Sequence, residues 1–326
     1  MAMNIFVAGG TGVLGRASIR ALIVAGHRVR ATARGEQKAE LVRSLGAAPV
    51  AVDLYDEKGL RNAIAGSDAV LRLTTKIGPM SKLRDPRTWE ETMRLRTEGA
   101  RMLVDAAIAA GAGVYMHESV TFVYADGGAS WLTEDSPTDD GGTAILRATL
   151  AGEREAERFT QHGGRGIVLR FGGFYSADAA STLETAALVR KRMMPQIGAA
   201  ANYFSSIHVP DAGNAVAAAL AAPAGIYNVV DDTPIPFAAY LETVARAVGA
   251  RRPFHLPGFV GKWMFGDVWK FFSRSQRVSN ARLKYVSGWR PEARSVAEGW
   301  RMIVPELNVS NTKLQPVSPA RSTRAA

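Results

Sequence analysis

The sequence predicts an α/β protein built on a doubly wound parallel sheet, with a smaller α/β lobe toward its C-terminus. Three observations carry that prediction. A short apolar run at residues 3–8 ends in glycines and opens a helix. Short apolar runs then alternate with longer stretches of helical spacing through residue 170. After that point the rhythm loosens, and residues 211–230 return to it.

The elements follow in order. Residues 3–8 are apolar without alternation, as a strand buried on both faces should be. Residues 13–25 carry apolar side chains at helical spacing and stop at Gly26. Residues 27–33 read as a second strand and 36–45 as a helix. A third strand is expected at 49–53, a helix to about 64, and a fourth strand at 68–73. One long helix is expected over 87–110, halted by Gly111 and Gly113, before a fifth strand at 114–117. Residues 144–161 read as a helix and 166–170 as a sixth strand. Beyond it come a helix near 181–193, a helix at 211–221 and a strand at 225–230.

Composition narrows the function classes. The 326 residues are 47% hydrophobic and 21% charged, an ordinary globular balance. No apolar run is long enough for a membrane span, which takes roughly 18–20 residues. There is no cysteine, which excludes a disulfide scaffold, a thiolate metal site and a cysteine nucleophile. No His, Asp and Glu cluster has metal-ligand spacing, so no metal is expected. The chain start lacks the charged and apolar regions of an export signal, so a cytoplasmic protein is expected. The net charge is +10, and residues 251–326 hold fourteen basic and four acidic side chains. No nucleic-acid-binding signature accompanies that charge, so no nucleic-acid partner is expected. It reads as a solvated basic face and tail, or as an attractor for an anionic small molecule.

The strongest motif is Gly9-Gly10-Thr11-Gly12-Val13-Leu14-Gly15, between a strand and a helix. Gly9 permits a tight turn, Gly12 lets backbone approach a pyrophosphate, and Gly15 permits close helix–strand packing. The amides at the helix start then hold phosphate. This is dinucleotide binding on a Rossmann sheet. Arg34 closes the second strand, where an acidic residue would bind the ribose 2′-hydroxyl of NAD. An arginine there suits the 2′-phosphate, so NADP(H) is expected in preference to NAD(H). The alternative for Arg34 is a surface strand-end residue. Asp53 and Leu54 would sit beside the adenine, or Asp53 would cap a helix. The dinucleotide-binding domain is expected to span 1–173 plus 207–231, and the substrate lobe 174–206 plus 232–306. Residues 307–326, rich in Ser, Thr, Pro and Ala, read as a disordered tail.

Further stretches make the chain resemble the extended short-chain dehydrogenase/reductases, the NAD-dependent epimerase/dehydratase group. Ser67-Asp68-Ala69-Val70-Leu71-Arg72-Leu73 resembles the family's fourth strand. Gly166 to Tyr175 (GIVLRFGGFY) resembles "LRPGNVYG", Ile207 to Ala212 resembles "IHVDDVA", Ile226-Tyr227-Asn228-Val229 resembles "YNVG", and Gly288-Trp289-Arg290-Pro291 resembles "LGWRP". The resemblance implies that Leu73, Thr74 and Thr75, and Phe171, Gly172 and Gly173, line the cofactor. Pairing of the long helices across a homodimer, as in many relatives, is a further implication.

The family's catalytic signature is missing. Its members use a Ser or Thr after the fifth strand and then Tyr-x-x-x-Lys, the Tyr as general acid/base and the Lys holding the nicotinamide ribose. Here the hydroxyl position falls on Val120, flanked by Ser119 and Thr121. The Tyr falls on Ile145, the Lys on Thr149, and the Asn often found in the long helix on Arg96. Four replacements are candidates: His117, Ser119 and Thr121 at the end of the fifth strand, and Tyr175 after the sixth. His117 is alternatively a hydrogen-bonded strand-end residue, and Tyr175 a packing aromatic. Residues 257–272, with Trp263, Met264, Phe265 and Trp269, could form an apolar flap, which suggests a hydrophobic or aromatic small-molecule substrate. The expectation is an NADP(H)-dependent oxidoreductase acting on a carbonyl, imine or enone with a non-standard proton donor. The alternatives are a redox-neutral epimerase, dehydratase or isomerase, and a non-catalytic NADP-binding sensor.

Overall fold

The computed structural model describes residues 2–76 and 82–313, with side chains through Leu307. Seven parallel strands form the central sheet: β1 (Asn4–Ala8), β2 (Arg28–Thr32), β3 (Ala48–Val50), β4 (Ala69–Arg72), β5 (Val114–Val120), β6 (Arg165–Phe171) and β7 (Gly225–Val229). Their order across the sheet is β7-β6-β5-β4-β1-β2-β3. The winding reverses between β1 and β4, and that crevice at the carboxyl edge is where such sheets bind ligands.

Each strand sends alternate side chains to opposite faces, and both faces are covered. On one side Ile5, Val7, Leu71, Met116 and Leu169 meet helices α1 (Val13–Val24) and α2 (Glu36–Ser44) and a helix at Val209–Ala219. On the other, Phe6, Val70, Tyr115 and Val168 meet α3 (Glu57–Ile64), α5 (Ala100–Ala109) and α6 (Ala144–Gln161) through residues such as Leu60, Leu103, Val104 and Phe159, while α4 (Arg87–Arg94) precedes α5 and packs through Trp89 and Met93 against a separate cluster around Ile145. Asp56 caps α3, its carboxylate accepting from the Gly59 amide at 3.1 Å. Asp53 is therefore not the cap that the sequence offered as an alternative.

Three elements differ from expectation. The third strand is shorter, only Ala48–Val50. The helix expected over 87–110 is interrupted by a five-residue π segment, Leu95–Gly99, between α4 and α5. The fifth strand does not stop at His117 but continues to Val120, in register with Phe171 of β6.

A second apolar cluster lies outside the sheet. Tyr175, Val189, Tyr240, Leu241, Val244, Val296, Trp300 and Ile303 form it, from helices at Ala180–Arg190, Phe237–Ala247 and Val296–Lys313. The last helix carries the backbone past residue 306, so the first residues of the expected tail are helical, and 314–326 lie outside the described residues. Late residues also clamp earlier ones. Arg274, 8% exposed, donates to the carbonyls of Tyr124 and Asp139 at 3.0 and 2.7 Å and to the Asp139 carboxylate at 2.5 Å. Among the described residues no helix is long and apolar enough to cross a membrane.

Candidate active site

The glycine loop occupies the crevice between β1 and β4. Gly9 has φ +97°, and a Cβ there would lie 2.5 Å from the Leu73 carbonyl oxygen. A Cβ on Gly15 would lie 2.1 Å from the Gly9 carbonyl oxygen. The loop therefore folds back on the start of α1 at a distance only glycine allows. The Gly9 amide donates to Thr32 Oγ1 at 2.9 Å, which ties the loop to β2. Helix α1 has no side-chain cap and no acidic residue in its first turn. Its first-turn amides and positive dipole are open to a phosphate. These residues fit a dinucleotide.

Arg34 and Asp53 stand together beyond β2 and β3, with Arg34 Nη1 3.2 Å from Asp53 Oδ2 and both side chains largely exposed. Leu54 is buried beneath them, in the α3-side core. Leu73, Thr74 and Thr75 form the chain leaving β4, against Gly9. The buried Thr74 Oγ1 has no hydrogen-bond partner among the described residues. Phe171, Gly172 and Gly173 are placed differently. Phe171 is buried against Phe174, and Cβ atoms on Gly172 and Gly173 would strike the Ser205 carbonyl oxygen at 2.7 Å and the Phe204 ring at 2.4 Å. The smallness of the two glycines serves the junction with the 203–208 segment.

The four candidate replacements are all buried. His117 is fully buried under α6, with Nδ1 3.3 Å from Tyr115 Oη and Nε2 without a partner among the described residues. Burial first, then the Arg72 and Arg96 cations, hold its pKa well below the usual histidine range. It is a neutral core side chain. Ser119 Oγ donates to Glu153 Oε1 at 2.5 Å, and Glu153 is held by Arg170 through Nε at 2.9 Å and Nη2 at 2.6 Å. Thr121 is buried in a short turn at Thr121–Val123. Tyr175 is a packing aromatic, 1% exposed, with its ring 5.6 Å from His208 and 6.3 Å from Trp300. Burial pushes its hydroxyl well above the usual tyrosine range. Its hydroxyl has no hydrogen-bond partner among the described residues.

The positions that the resemblance assigns to Tyr and Lys are closed in a telling way. Ile145 joins an apolar cluster with Leu83, Val123, Leu146, Val268 and Phe271. Phe122 extends it, with Phe272 edge-on at 5.2 Å. Part of the 257–272 segment thus lines this wall, while Phe259 and Trp263 face outward. Thr149 Oγ1 donates to the Ile145 carbonyl at 2.8 Å and accepts from Arg96 Nη1 at 2.6 Å.

Sequence reasoning placed Arg96 but gave it no role, and it overlooked Arg72. Arg96 projects from the π segment and is 4% exposed, with burial lowering its pKa to about 10, still a cation at neutral pH. Arg72 is fully buried at the end of β4. It donates to the carbonyls of Leu95 at 3.3 Å, Glu118 at 3.1 Å and Thr74 at 2.8 Å, and to the Glu118 carboxylate at 3.2 Å. It ties the π segment, the end of β5 and the loop after β4 into one unit. An arginine inside an otherwise apolar strand was the available signal. A cavity of about 450 Å³ lies elsewhere, between α6 and the β6–β7 edge, lined by Glu153, Glu157, Val168, Arg170 and Ile226.

The parallel seven-stranded order, the glycine cradle and the loop after β4 define a nucleotide-binding α/β enzyme scaffold. Residues 5–229 match the NAD dependent epimerase/dehydratase family, and the chain belongs to that family. Among curated proteins it is similar to a 3-diazoavenalumate denitrifying reductase of a Streptomyces species. That match is 32% identical and covers 91% of this chain and 99% of the relative. It is also similar to a 4-hydroxy-2-methyl-3-oxo-4-farnesyl-3,4-dihydroquinoline-1-oxide ketoreductase of Stigmatella aurantiaca, 27% identical over 76% of this chain and 74% of the relative. A human epimerase family protein solved with NADPH shares the fold, with a TM-score of 0.77 at 21% identity, covering 93% of this chain and 99% of that one. So does the UDP-glucose 4-epimerase of Thermotoga maritima, with a TM-score of 0.77 at 18% identity, covering 95% and 100%. Family and relatives together support a nicotinamide-dependent enzyme with oxidoreductase chemistry.

Proposed function

We propose that the protein is an NADP(H)-dependent oxidoreductase that moves hydride to or from a small hydrophobic or aromatic substrate without a tyrosine acid. One observation carries the reading: the glycine turn closes at distances only glycine allows, while Ile145, where the resemblance puts the acid, belongs to an apolar wall. The bound cofactor would supply the hydride. The chain's own residues bind and orient the reactants. Arg34 supports the preference for NADP(H). Its exposed pair with Asp53 is worth only about 0–1 kcal/mol, so giving it up for a 2′-phosphate costs little.

Carbonyl, imine and enone acceptors all remain in this class, with water as the proton source. The Streptomyces relative's name points to one more, a diazo compound that is reduced with loss of nitrogen. Hydride delivered to an arenediazonium carbon forms a C–H bond as the C–N bond breaks, and dinitrogen leaves. The protein donates no proton in that reaction, which suits a site whose acid position is isoleucine.

The test begins with NADPH and NADH titrated into the wild type and Arg34→Asp. Tight NADPH binding is expected, with preference over NADH reduced about tenfold or more in the variant, or about 1.4 kcal/mol. NADPH consumption is then followed with an arenediazonium salt and with an aryl ketone of the same ring. Binding of neither nucleotide would overturn the reading.

A further inference from the structure

Three buried arginines surround the site, and only two have a counter-charge. Arg72 meets the Glu118 carboxylate and Arg170 meets Glu153. Arg96 has no carboxylate in contact among the described residues. Nη1 goes to the Thr149 hydroxyl, Nη2 is 3.5 Å from Thr75 Oγ1, and Nε has no partner among the described residues. A buried cation left in this state is costly unless something else completes it.

Its placement is built rather than incidental. The π segment Leu95–Gly99 re-aims the helix where Arg96 leaves it, and such segments gather at functional sites. Gly152 of α6 lets that segment come close, since a Cβ there would lie 2.6 Å from the Arg96 carbonyl oxygen. Arg72 fixes the same segment through the Leu95 carbonyl. Thr75 is exposed at the carboxyl edge of the sheet, so the guanidinium lies just beneath the surface of the crevice.

The sheet order decides which part of a ligand reaches it. With phosphates on the start of α1, Arg34 and Asp53 lie on the β2–β3 side and receive the adenosine half. The other half of the dinucleotide runs over β4 toward β5, above Thr75. We propose that Arg96 is a ligand-binding cation, donating from its guanidinium to the hydroxyls of the nicotinamide-side ribose. This rests on the cofactor reading above. Thr149 is too short to make that contact and instead holds the arginine in place. A guanidinium stays charged, so Arg96 binds and orients and transfers no proton.

The test compares two probes by calorimetry, NADPH and adenosine 2′,5′-bisphosphate, which lacks the nicotinamide half. Arg96→Gln is expected to weaken NADPH roughly 10- to 100-fold, the loss of a charged hydrogen-bond donor, and to leave the bisphosphate within about twofold of wild type. Arg96→Lys keeps the charge and recovers part of the loss. Thr149→Val, which removes only the anchor, gives the same selective pattern at smaller size and serves if Arg96→Gln does not fold. NADPH binding by Arg96→Gln within about twofold of wild type overturns the proposal. Equal weakening of both probes overturns it too, by assigning Arg96 a structural role. A wild type that binds neither probe sinks the cofactor reading itself, and this proposal with it.

Discussion

Replacing Glu153 by glutamine keeps the shape of the side chain and removes its charge. Glu153 and Arg170 are 7% and 4% exposed at the side chain, joined by contacts of 2.9 and 2.6 Å. Among the described residues Arg170 has no second carboxylate in contact. Its guanidinium lies 4.8 Å over the Tyr124 ring, and Nη1 has no partner among the described residues. Breaking a buried pair from one side leaves a bare charge and costs about 3–5 kcal/mol. In a chain of this size each kcal/mol moves the melting temperature by roughly 2 °C, so Glu153→Gln should melt about 6–10 °C lower. The double variant Glu153→Leu/Arg170→Met removes both charges and should recover at least half of that. The remainder is the Ser119 hydroxyl, left without its acceptor at a cost of about 1–3 kcal/mol. Thermal unfolding followed by far-UV circular dichroism, without cofactor, reads all three proteins. A single variant within about 1 kcal/mol of wild type, or a double variant as unstable as the single, refutes the argument from uncompensated charge.

Two more predictions concern the cradle and the pH response. Gly15→Ala sets a Cβ 2.1 Å from the Gly9 carbonyl oxygen and 2.9 Å from Gly10 Cα, both backbone. Overpacking of about 1–3 kcal/mol and at least tenfold weaker NADPH binding are expected, and unchanged affinity in a nucleotide titration refutes the cradle. Asp231, 2% exposed, has its pKa raised from 3.8 to about 8, chiefly by burial. The folded value lies above the unfolded one, so this contribution to stability is full below the unfolded value and is lost as pH rises through about 8. Asp231→Asn should therefore gain on wild type in melting temperature between about pH 5 and pH 9, and parallel curves refute the assignment.

The sheet was legible because its physics is local. Apolar runs without alternation marked strands covered on both faces, and α6 follows the spacing over its whole length, Ala144–Gln161. The glycine loop was legible because each glycine answers a separate steric demand. The π segment was not, because residues 94–100 keep an unbroken helical pattern. The segment is held by Arg72, which donates to the Leu95 carbonyl, and has room because Gly152 carries no side chain, and both partners are distant in sequence. The extension of β5 was hidden because Glu118 and Ser119 look like a strand end, and only Arg72 and Glu153 make them internal. Tyr175 looked available because nothing near it in sequence covers it, whereas Trp300 and Gly299 do so from the last helix.

The Arg274 clamp has a bearing on how the molecule comes together. Chains emerge from the ribosome N-terminus first, and early units fold as they appear. The strands, the glycine cradle and the turn at 121–123 all precede Arg274. Until it arrives, the carbonyls of Tyr124 and Asp139 lack this donor, and the apolar wall lacks Val268 and Phe271. The glycine loop thus has its parts first, and the apolar wall around Ile145 is closed by late-made residues. A nascent chain stalled before that point would carry the glycine loop beside an unfinished apolar wall, so the last fifth of the chain decides when that wall closes.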